Sequence, residues 1–501
     1  DYIKNILSED GTVAIDGNLY TIAAFDALKE KIIPLILTVI DDPFNEIWEN
    51  RPKAPKEKTF ILNIKYTGES TIEKFQKIKD RIKPDKNSIY VASMLDEIAW
   101  LTNMRGRDVA YTPVFISYAV LDFDADRTHL FIDKSKLSEE VVNQLSSQNI
   151  SIYNYDDFEF TLAELCKEKI TIVNPNKISV KIYQIVENNS VRIANEKDSA
   201  GSITSLKAVK NEMEIAGIHE SMIDDGISWL KFWKWLEDNI DSKSVTEINA
   251  GAELKLIRST ISKVFIEESF APIVAYKEHG AIVHYSATSK SNVVLGREGF
   301  ILIDTGAQYQ YGTTDITRTL HLGTPSSEEK IDYTLVLKGH IQLTLAQFPH
   351  GTRGAQLDIL ARQPMMQYHI NYLHGTGHGV GYCLSVHEGP QNIRLNENPT
   401  IQEVGMLTSC EPGIYRAGKY GIRIENLLLT VRSGVSDFGE FLAFEPVTIC
   451  PYDLNSIEVS MLSPAEKEFI NSYHEWVQKK LSYYLNTGEL VFLKEKTRPI
   501  E

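Results

Sequence analysis

The sequence predicts a multidomain protein, with an α/β leading part and an α+β trailing part. From Thr59 to about Val191, short apolar strands alternate with helices, which is typical of an α/β layer. Near Ser202 this pattern gives way to long amphipathic helices, so a new domain is predicted to begin there. At about 150 residues per domain, the 501 residues suffice for about three domains.

The elements divide the chain into segments 1–50, 51–200 and 201–501. Segment 1–50 is predicted to form a helix, the strand GTVAID and a second helix, before the polar linker WENRPKAPKEK. Segment 51–200 contains one clear helix, TIEKFQKIKDRI, and the predicted strands FILNIKY, SIYVAS, VFISYAVLDF, HLFID, KITIV and ISVKIYQI.

Capping residues mark two helix starts in the trailing segment. Ser326, with Glu329 three residues later, forms a capping box signal. Ser463 and Glu466 give the same signal, with a proline at the first helical position, for what is predicted to be the final helix.

Composition excludes several classes of partner. The net charge of −16 would repel phosphate backbones, so no nucleic-acid partner is expected. Apolar runs such as IIPLILTVI are shorter than the roughly 18 residues that cross a bilayer, so no membrane partner is expected. Four scattered cysteines without CxxC pairing favour a reducing compartment, and we expect a cytoplasmic location.

Four acidic residues stand where apolar strand residues would be usual. Asp304 ends the run GFILID, and Asp315 follows in GTTDITRTL, so a hairpin is predicted to bring the two together across one sheet. Glu411 and Glu425 lie in similar surroundings, LTSCEPGIY and YGIRIENLLL. Carboxylates buried together repel one another at low dielectric, so cations are expected to compensate them.

Between the two acid pairs lies the segment YLHGTGHGVGYCLSVHEGP, which contains His374, His378 and His387. Its glycines permit close backbone approach and unusual dihedral angles. A dinucleotide-binding fingerprint is the alternative, but no GxGxxG opens a helix here. Carboxylates with imidazole and no thiolate favour a dinuclear site for Mn²⁺, Co²⁺ or Zn²⁺ that activates one bridging water.

Each residue alone has an ordinary structural explanation. An aspartate in a strand is more often salt-bridged than a ligand, and a lone histidine is more often a structural one. The ordered pattern of Asp, ten residues, Asp, His, Glu and Glu favours the metal site.

These motifs resemble the pita-bread metallopeptidases, and among them the long, three-domain Xaa-Pro aminopeptidases. The matching stretches are GAIVHYS, IDTGAQYQYGTTDITRT, LHGTGHGVGYCLSVHEGP, CEPGIY, GIRIENLLL and FLAFEPVTICP. Upstream, WENRP and LDEIAWLTNMRGRDVAYTPVF resemble the middle domain of the same family. The resemblance implies a C-terminal pita-bread catalytic domain at 201–501, preceded by creatinase-like α/β domains at 51–200 and, incomplete, at 1–50.

The resemblance also implies roles for individual residues. The implied metal ligands are Asp304, Asp315, His378, Glu411 and Glu425. Asp315 and Glu425 would bridge the two metals, and Glu411 would also be the general base. Further active-site histidines are implied at His284, His374 and His387, and Arg423 would hold a ligand carboxylate in place.

The activity implied is removal of the N-terminal residue from peptides with proline second, by attack of a metal-bridging hydroxide. The cofactor implied is a pair of divalent ions, manganese or alternatively zinc or cobalt, and the assembly a homodimer. The alternatives are a prolidase acting on Xaa-Pro dipeptides, a methionine aminopeptidase, a metal-free creatinase-like hydrolase and a non-catalytic pita-bread scaffold.

Overall fold

The computed structural model describes residues 2–8 and 10–501. By internal contacts the chain divides into two compact units, Asp1–Val109 with Pro113–Lys207, and Ala110–Thr112 with Ala208–Glu501. The predicted limits at 1–50, 51–200 and 201–501 are finer than this division and stay predictions. Within the described residues, no helix combines the length and apolar character needed to cross a bilayer.

The leading unit is built on a mixed sheet with flanking helices. Its helices are α1 (Tyr2–Ile6), α2 (Ile22–Ile32), α3 (Ile64–Thr67), α4 (Thr71–Ile82), α5 (Leu95–Thr102), α6 (Glu139–Ser147), α7 (Phe158–Cys166), α8 (Val180–Asn189) and α9 (Ser202–Ala208), the last ending at the unit boundary. Its strands are β1 (Thr12–Asp16), β2 (Ile36–Ile40), β3 (Phe60–Ile61), β4 (Ser88–Ala92), β5 (Met104–Arg105), β6 (Ser117–Asp122), β7 (Arg127–Ile132), β8 (Ile150–Tyr153), β9 (Ile170–Val173) and β10 (Arg192–Asn195).

Six of these strands form one sheet in the order β10-β9-β4-β6-β7-β8. Strand β4 is parallel to β9 and antiparallel to β6. The parallel pair β7 and β8 is connected through α6, as the alternation of strands and helices predicts.

Two predicted strands differ in the structure. In FILNIKY only Phe60 and Ile61 form a strand, because the Asn63 side chain caps α3, which ends at left-handed Gly68. ISVKIYQI is mostly helix α8, which begins where the Ser179 side chain accepts a hydrogen bond from Ile182 N. The spacing of its apolar residues is compatible with both a strand and a helix, so the N-terminal cap at Ser179 decides for the helix.

The trailing unit contains α10 (Glu212–Asn239), α11 (Glu247–Ile261), α12 (Ser327–Thr344), α13 (Gly354–Met366), α14 (Pro464–Leu481) and α15 (Thr487–Lys496). Its strands are β11 (Phe265–Glu268), β12 (Ile273–Tyr276), β13 (Phe300–Thr305), β14 (Ala307–Tyr309), β15 (Gly312–Thr313), β16 (Ile316–His321), β17 (Gln347–Pro349), β18 (Gly377–His378), β19 (Asn392–Ile393), β20 (Leu407–Cys410), β21 (Gly413–Arg416), β22 (Tyr420–Arg423), β23 (Asn426–Ser436) and β24 (Gly439–Pro446). The larger sheets have the orders β12-β13-β16, β17-β24-β23-β20 and β11-β14-β15.

Both predicted capping boxes are present. Ser326 with Glu329 starts α12, and Ser463 with Glu466 starts α14. Helix α14 is not the final helix, because Asn486 caps a further helix, α15. Helix α14 carries an apolar stripe, Ile470, Tyr473, Val477 and Leu481, which is buried in the same core as Trp229 and Trp233 of α10. This stripe therefore packs within the unit.

Arg318 on β16 joins that strand to the segment beyond β24. Its guanidinium is fully buried and donates to four carbonyl oxygens, those of Pro451 at 3.1 Å, Thr317 at 2.9 Å, Glu425 at 2.6 Å and Cys450 at 2.8 Å. A single side chain therefore satisfies acceptors from three different parts of the chain.

We expect Arg318→Met to lower the free energy of unfolding by about 3 kcal/mol or more, since buried carbonyl oxygens would lose their donor. Urea unfolding followed by tryptophan fluorescence measures the change. The matched control is Arg297→Met, which removes an exposed pair with Asp241 and should have a much smaller effect. Equal losses in the two variants would contradict the structural role of Arg318.

Candidate functional site

Asp304 and Asp315 approach each other through the pairing of β13 with β16. These strands are antiparallel, as predicted, and Asp304 lies opposite Thr317. Asp315 precedes β16, so the two aspartates are diagonal neighbours and do not face each other directly. The difference arises because β14 and β15 form a small hairpin of their own between them.

Glu411 and Glu425 come together through the pairing of β20 with β23. Cys410 at the end of β20 pairs with Asn426 at the start of β23. Glu411 directly follows Cys410, and Glu425 directly precedes Asn426, so both acids lie at the same end of the strand pair.

His378 lies between the two acid pairs. Its Nε2 is 3.4 Å from Asp315 Oδ2 and 3.5 Å from Glu411 Oε1. Its Nδ1 donates to the carbonyl oxygen of Gly379 at 2.9 Å, which leaves Nε2 directed at the acids. Imidazole ligands of metals are commonly oriented by such a hydrogen bond from the other ring nitrogen.

The glycines of this loop serve close packing. A Cβ on Gly377 would lie 1.9 Å from the carbonyl oxygen of Ser409, so only glycine fits there. None of the glycines at 375, 377, 379 and 381 has a positive φ. In this loop the residue with a positive φ is Cys383, at 49°.

One cavity of about 690 Å³ collects every predicted site residue. These residues come from separate strands and loops and share only this cavity: His284, Asp304, Asp315, His374, His378, His387, Glu411, Arg423 and Glu425. The His387 ring meets the His378 ring edge-on, with 4.2 Å between centroids.

Burial dominates the electrostatics of the cavity. It raises the pKa of Glu411 to about 7 and, together with the charges of its acidic neighbours, raises the pKa of Glu425 well above its usual value. Burial also lowers the pKa of His374 and of His387 to about 4, so both are neutral near pH 7. Burial alone would also lower the pKa of His378. The hydrogen bond with Asp315 and the charge of Glu411 outweigh this effect and raise its pKa to about 9.

Arg423 is the fixed cation in contact with these acids. Its Nη2 donates to Asp304 Oδ2 at 2.6 Å, and its Nη1 donates to the hydroxyl of Tyr415 at 2.8 Å. Arg423 and a protonated His378 together cannot balance four carboxylates, so the cavity retains excess negative charge whenever all four are ionised.

The donor set fits divalent metal ions. Ligand atoms of Asp315, His378 and Glu425 all lie within 4.8 Å of one another. Asp304 Oδ1 is buried without a hydrogen-bond partner, which leaves it available to a cation. Oxygen-rich donors with one imidazole suit manganese, cobalt or zinc, and bound cations would remove the repulsion among the acids.

Sequence reasoning missed two residues that organise the site. The Thr317 hydroxyl donates to Glu425 Oε2 at 2.8 Å, and its position two residues after Asp315 was a usable signal for the same strand face. The Tyr415 hydroxyl lies 2.8 Å from His374 Nε2 and links that ring to Arg423, a contact with no sequence signal.

His284 enters the cavity from another direction, on the turn after the short 3₁₀ helix Lys277–Ala281. The neighbouring Tyr285 donates its hydroxyl proton to Glu247 Oε2 at 3.0 Å. Glu247 also accepts from the backbone N–H of Tyr276 at 2.9 Å, so a buried carboxylate fixes this turn.

Three family models match consecutive parts of the chain. The Creatinase/Prolidase N-terminal domain matches residues 50–214, metallopeptidase family M24 matches residues 213–432, and the C-terminal region of the M24 peptidases matches residues 440–500. Together they account for most of the chain.

Relatives and solved structures agree with these models. The chain is 36% identical to the probable Xaa-Pro aminopeptidase P of Coprinopsis cinerea, over 100% of this chain and 83% of the relative. It is 35% identical to Xaa-Pro aminopeptidase 1 of Dictyostelium discoideum, over 100% and 82%.

Among solved structures, the chain matches the X-prolyl aminopeptidase of Caenorhabditis elegans with a TM-score of 0.91 and 31% identity, over 100% of this chain and 83% of that one. That protein is described as a cytosolic enzyme with a di-nuclear active site. An Xaa-Pro dipeptidase from Bacillus anthracis shares the fold, with a TM-score of 0.61 and 22% identity over 77% of this chain and 99% of that one. These findings confirm the expected pita-bread fold, family and class of enzyme. The chain belongs to metallopeptidase family M24, as a metallo-aminopeptidase of the Xaa-Pro group.

Proposed function

We propose that this enzyme releases the N-terminal residue from peptides that have proline in the second position. The observation that carries the proposal is the single cavity in which four acids and His378 meet three further histidines. The names of the full-length relatives support the same substrate class.

Proline makes this reaction a specialised one. The bond before proline is a tertiary amide without an N–H, and the ring restricts the preceding residue. A dedicated site must bind the free α-amino group, fit the pyrrolidine ring and protonate the departing proline nitrogen. Two divalent ions, which we propose to be manganese, would be held by Asp304, Asp315, His378, Glu411 and Glu425 and when bound would activate a water and polarise the scissile carbonyl.

The protein residues divide the remaining tasks. We assign uptake of the water proton to Glu411, the carboxylate to which the family resemblance gives this role, because its Oε1 lies in the cavity 3.5 Å from His378 Nε2. His387 and His284 would hydrogen-bond the carbonyl oxygen as charge develops on it. His374 would line the proline side, and the Asp304 side would receive the substrate amine.

Two further properties belong to this proposal. A cytoplasmic location is supported by the description of the Caenorhabditis elegans relative as cytosolic. A homodimer joined through the catalytic domain stays a prediction from the family resemblance, because the apolar stripe of α14 is buried within its own unit.

We expect Asp315→Asn and Glu425→Gln to abolish turnover by losing one or both metal ions, since each substitution removes an anionic ligand. Metal content per chain, measured beside turnover of an Xaa-Pro-Xaa peptide, checks this. Asp332→Asn is the control, because that buried acid pairs with Arg416 away from the cavity. Two retained metal equivalents with a near-normal rate in either site variant would refute the ligand assignment.

His284→Ala and His387→Ala should retain metal but lose roughly a hundredfold or more in rate, the scale of losing a hydrogen-bond donor to the transition state. Steady-state kinetics at saturating metal measures the loss. His350→Ala, at an exposed position, is the control. Loss of metal in a histidine variant would show that a ligand has been misassigned.

Specificity should reside at the second substrate residue. Replacing proline by alanine in an Arg-Pro-Pro-type peptide should reduce kcat/KM about a hundredfold or more, because the alanine N–H would be buried without a partner. Varying the first residue should matter much less. Equal cleavage of both peptides would reject proline selectivity, and preference for an Xaa-Pro dipeptide over a tripeptide would favour the prolidase alternative.

A further inference from the structure

A buried ion pair on α13 lies outside the cavity and is absent from the mechanism described above. Arg362 Nε donates to Asp358 Oδ2 at 2.6 Å, one helical turn earlier. Both side chains are at most 2% exposed. Burying two charges this deeply costs desolvation free energy. The further hydrogen bonds of the pair show which parts of the chain it fixes.

The guanidinium of Arg362 binds the segment that carries His374. Its Nη1 donates to the carbonyl oxygen of Tyr372 at 2.6 Å, and its Nη2 donates to that of His374 at 2.9 Å. Its plane also lies over the Tyr372 ring, 3.8 Å from the centroid. The backbone on both sides of Leu373 is therefore tied to one side chain.

Asp358 extends the connection to Glu411. Its Oδ1 accepts a hydrogen bond from the Thr376 hydroxyl at 2.5 Å. The carbonyl oxygen of Thr376 in turn accepts from the backbone N–H of Glu411 at 2.8 Å. The ion pair is thus connected by hydrogen bonds to the backbone of both His374 and Glu411.

We propose that Asp358 and Arg362 are positioning residues that hold His374 and Glu411 in register for the reaction. Neither touches the cavity, so they act through the 371–376 segment. Arginine is required because its planar fork serves several acceptors at once, whereas a lysine ammonium is a compact point charge. This inference rests on the proposed function.

The decisive variant is Arg362→Lys, which keeps a cation for Asp358 but cannot reach all the carbonyl oxygens. We expect kcat on an Xaa-Pro-Xaa peptide to fall about ten- to a hundredfold at full metal occupancy, with little change in KM, since small misplacements of reacting groups have this effect. The crystal structure of the variant should show His374 displaced from the Tyr415 hydroxyl.

Lys338→Gln is the control, because it removes a partly buried contact to Glu466 between α12 and α14, and neither residue lines the cavity. It should lower thermal stability and leave kcat unchanged. If Arg362→Lys does not fold, Thr376→Val keeps the ion pair and removes the hydroxyl contacts of Thr376 with Asp358 and Tyr372, and a severalfold fall in kcat is expected.

Three results would overturn the proposal. They are an unchanged kcat in the folded variant, a loss of rate that added metal restores, or an unmoved His374 in its crystal structure. Inactivity of the wild-type enzyme on the peptide would refute the proposed function instead, while the position of His374 in the variant would still test the pair.

Discussion

The mutual repulsion of four buried carboxylates is the constraint on which the site depends. Asp304, Asp315, Glu411 and Glu425 share one cavity, in which Arg423 forms an ion pair with Asp304. Burial raises the pKa of Glu411 and of Glu425, and the neighbouring acids add to the rise at Glu425. Divalent cations would resolve this conflict, because the carboxylates that repel one another are the groups we propose as metal ligands.

Strand pairing is what forces the acids together against this repulsion. Asp304 is held by the β13–β16 ladder, and both glutamates lie at the end of the β20–β23 ladder. Burial of apolar side chains in the surrounding core, to which α10, α12 and α14 contribute, stabilises this arrangement. Arg318 reinforces it by donating to the backbone carbonyl oxygen of Glu425.

His374 and His284 lie on loops, and buried hydrogen bonds fix the backbone of these loops. Tyr415 links His374 to Arg423, and the Arg362 pair holds the backbone of the same segment. Glu247 fixes the turn next to His284. Such buried polar contacts fix the positions of these histidines, because side chains on loops are held less firmly by backbone hydrogen bonds than those on helices and strands.

Sequence by itself determined the chemistry of this protein. The acids stand out because carboxylates are costly in apolar strands, and capping residues marked the starts of α12 and α14. Motifs that match one family extended this to the candidate ligands and the class of enzyme.

Only the tertiary structure decided which groups meet. ISVKIYQI became helix α8 through its cap, although its apolar residues also suited a strand. The contacts of Tyr415 with Arg423 and of Arg362 with the His374 carbonyl oxygen join parts of the chain that no local pattern relates. Local periodicity reports which face of an element is buried, whereas hydrogen bonds across the core depend on how separate elements pack.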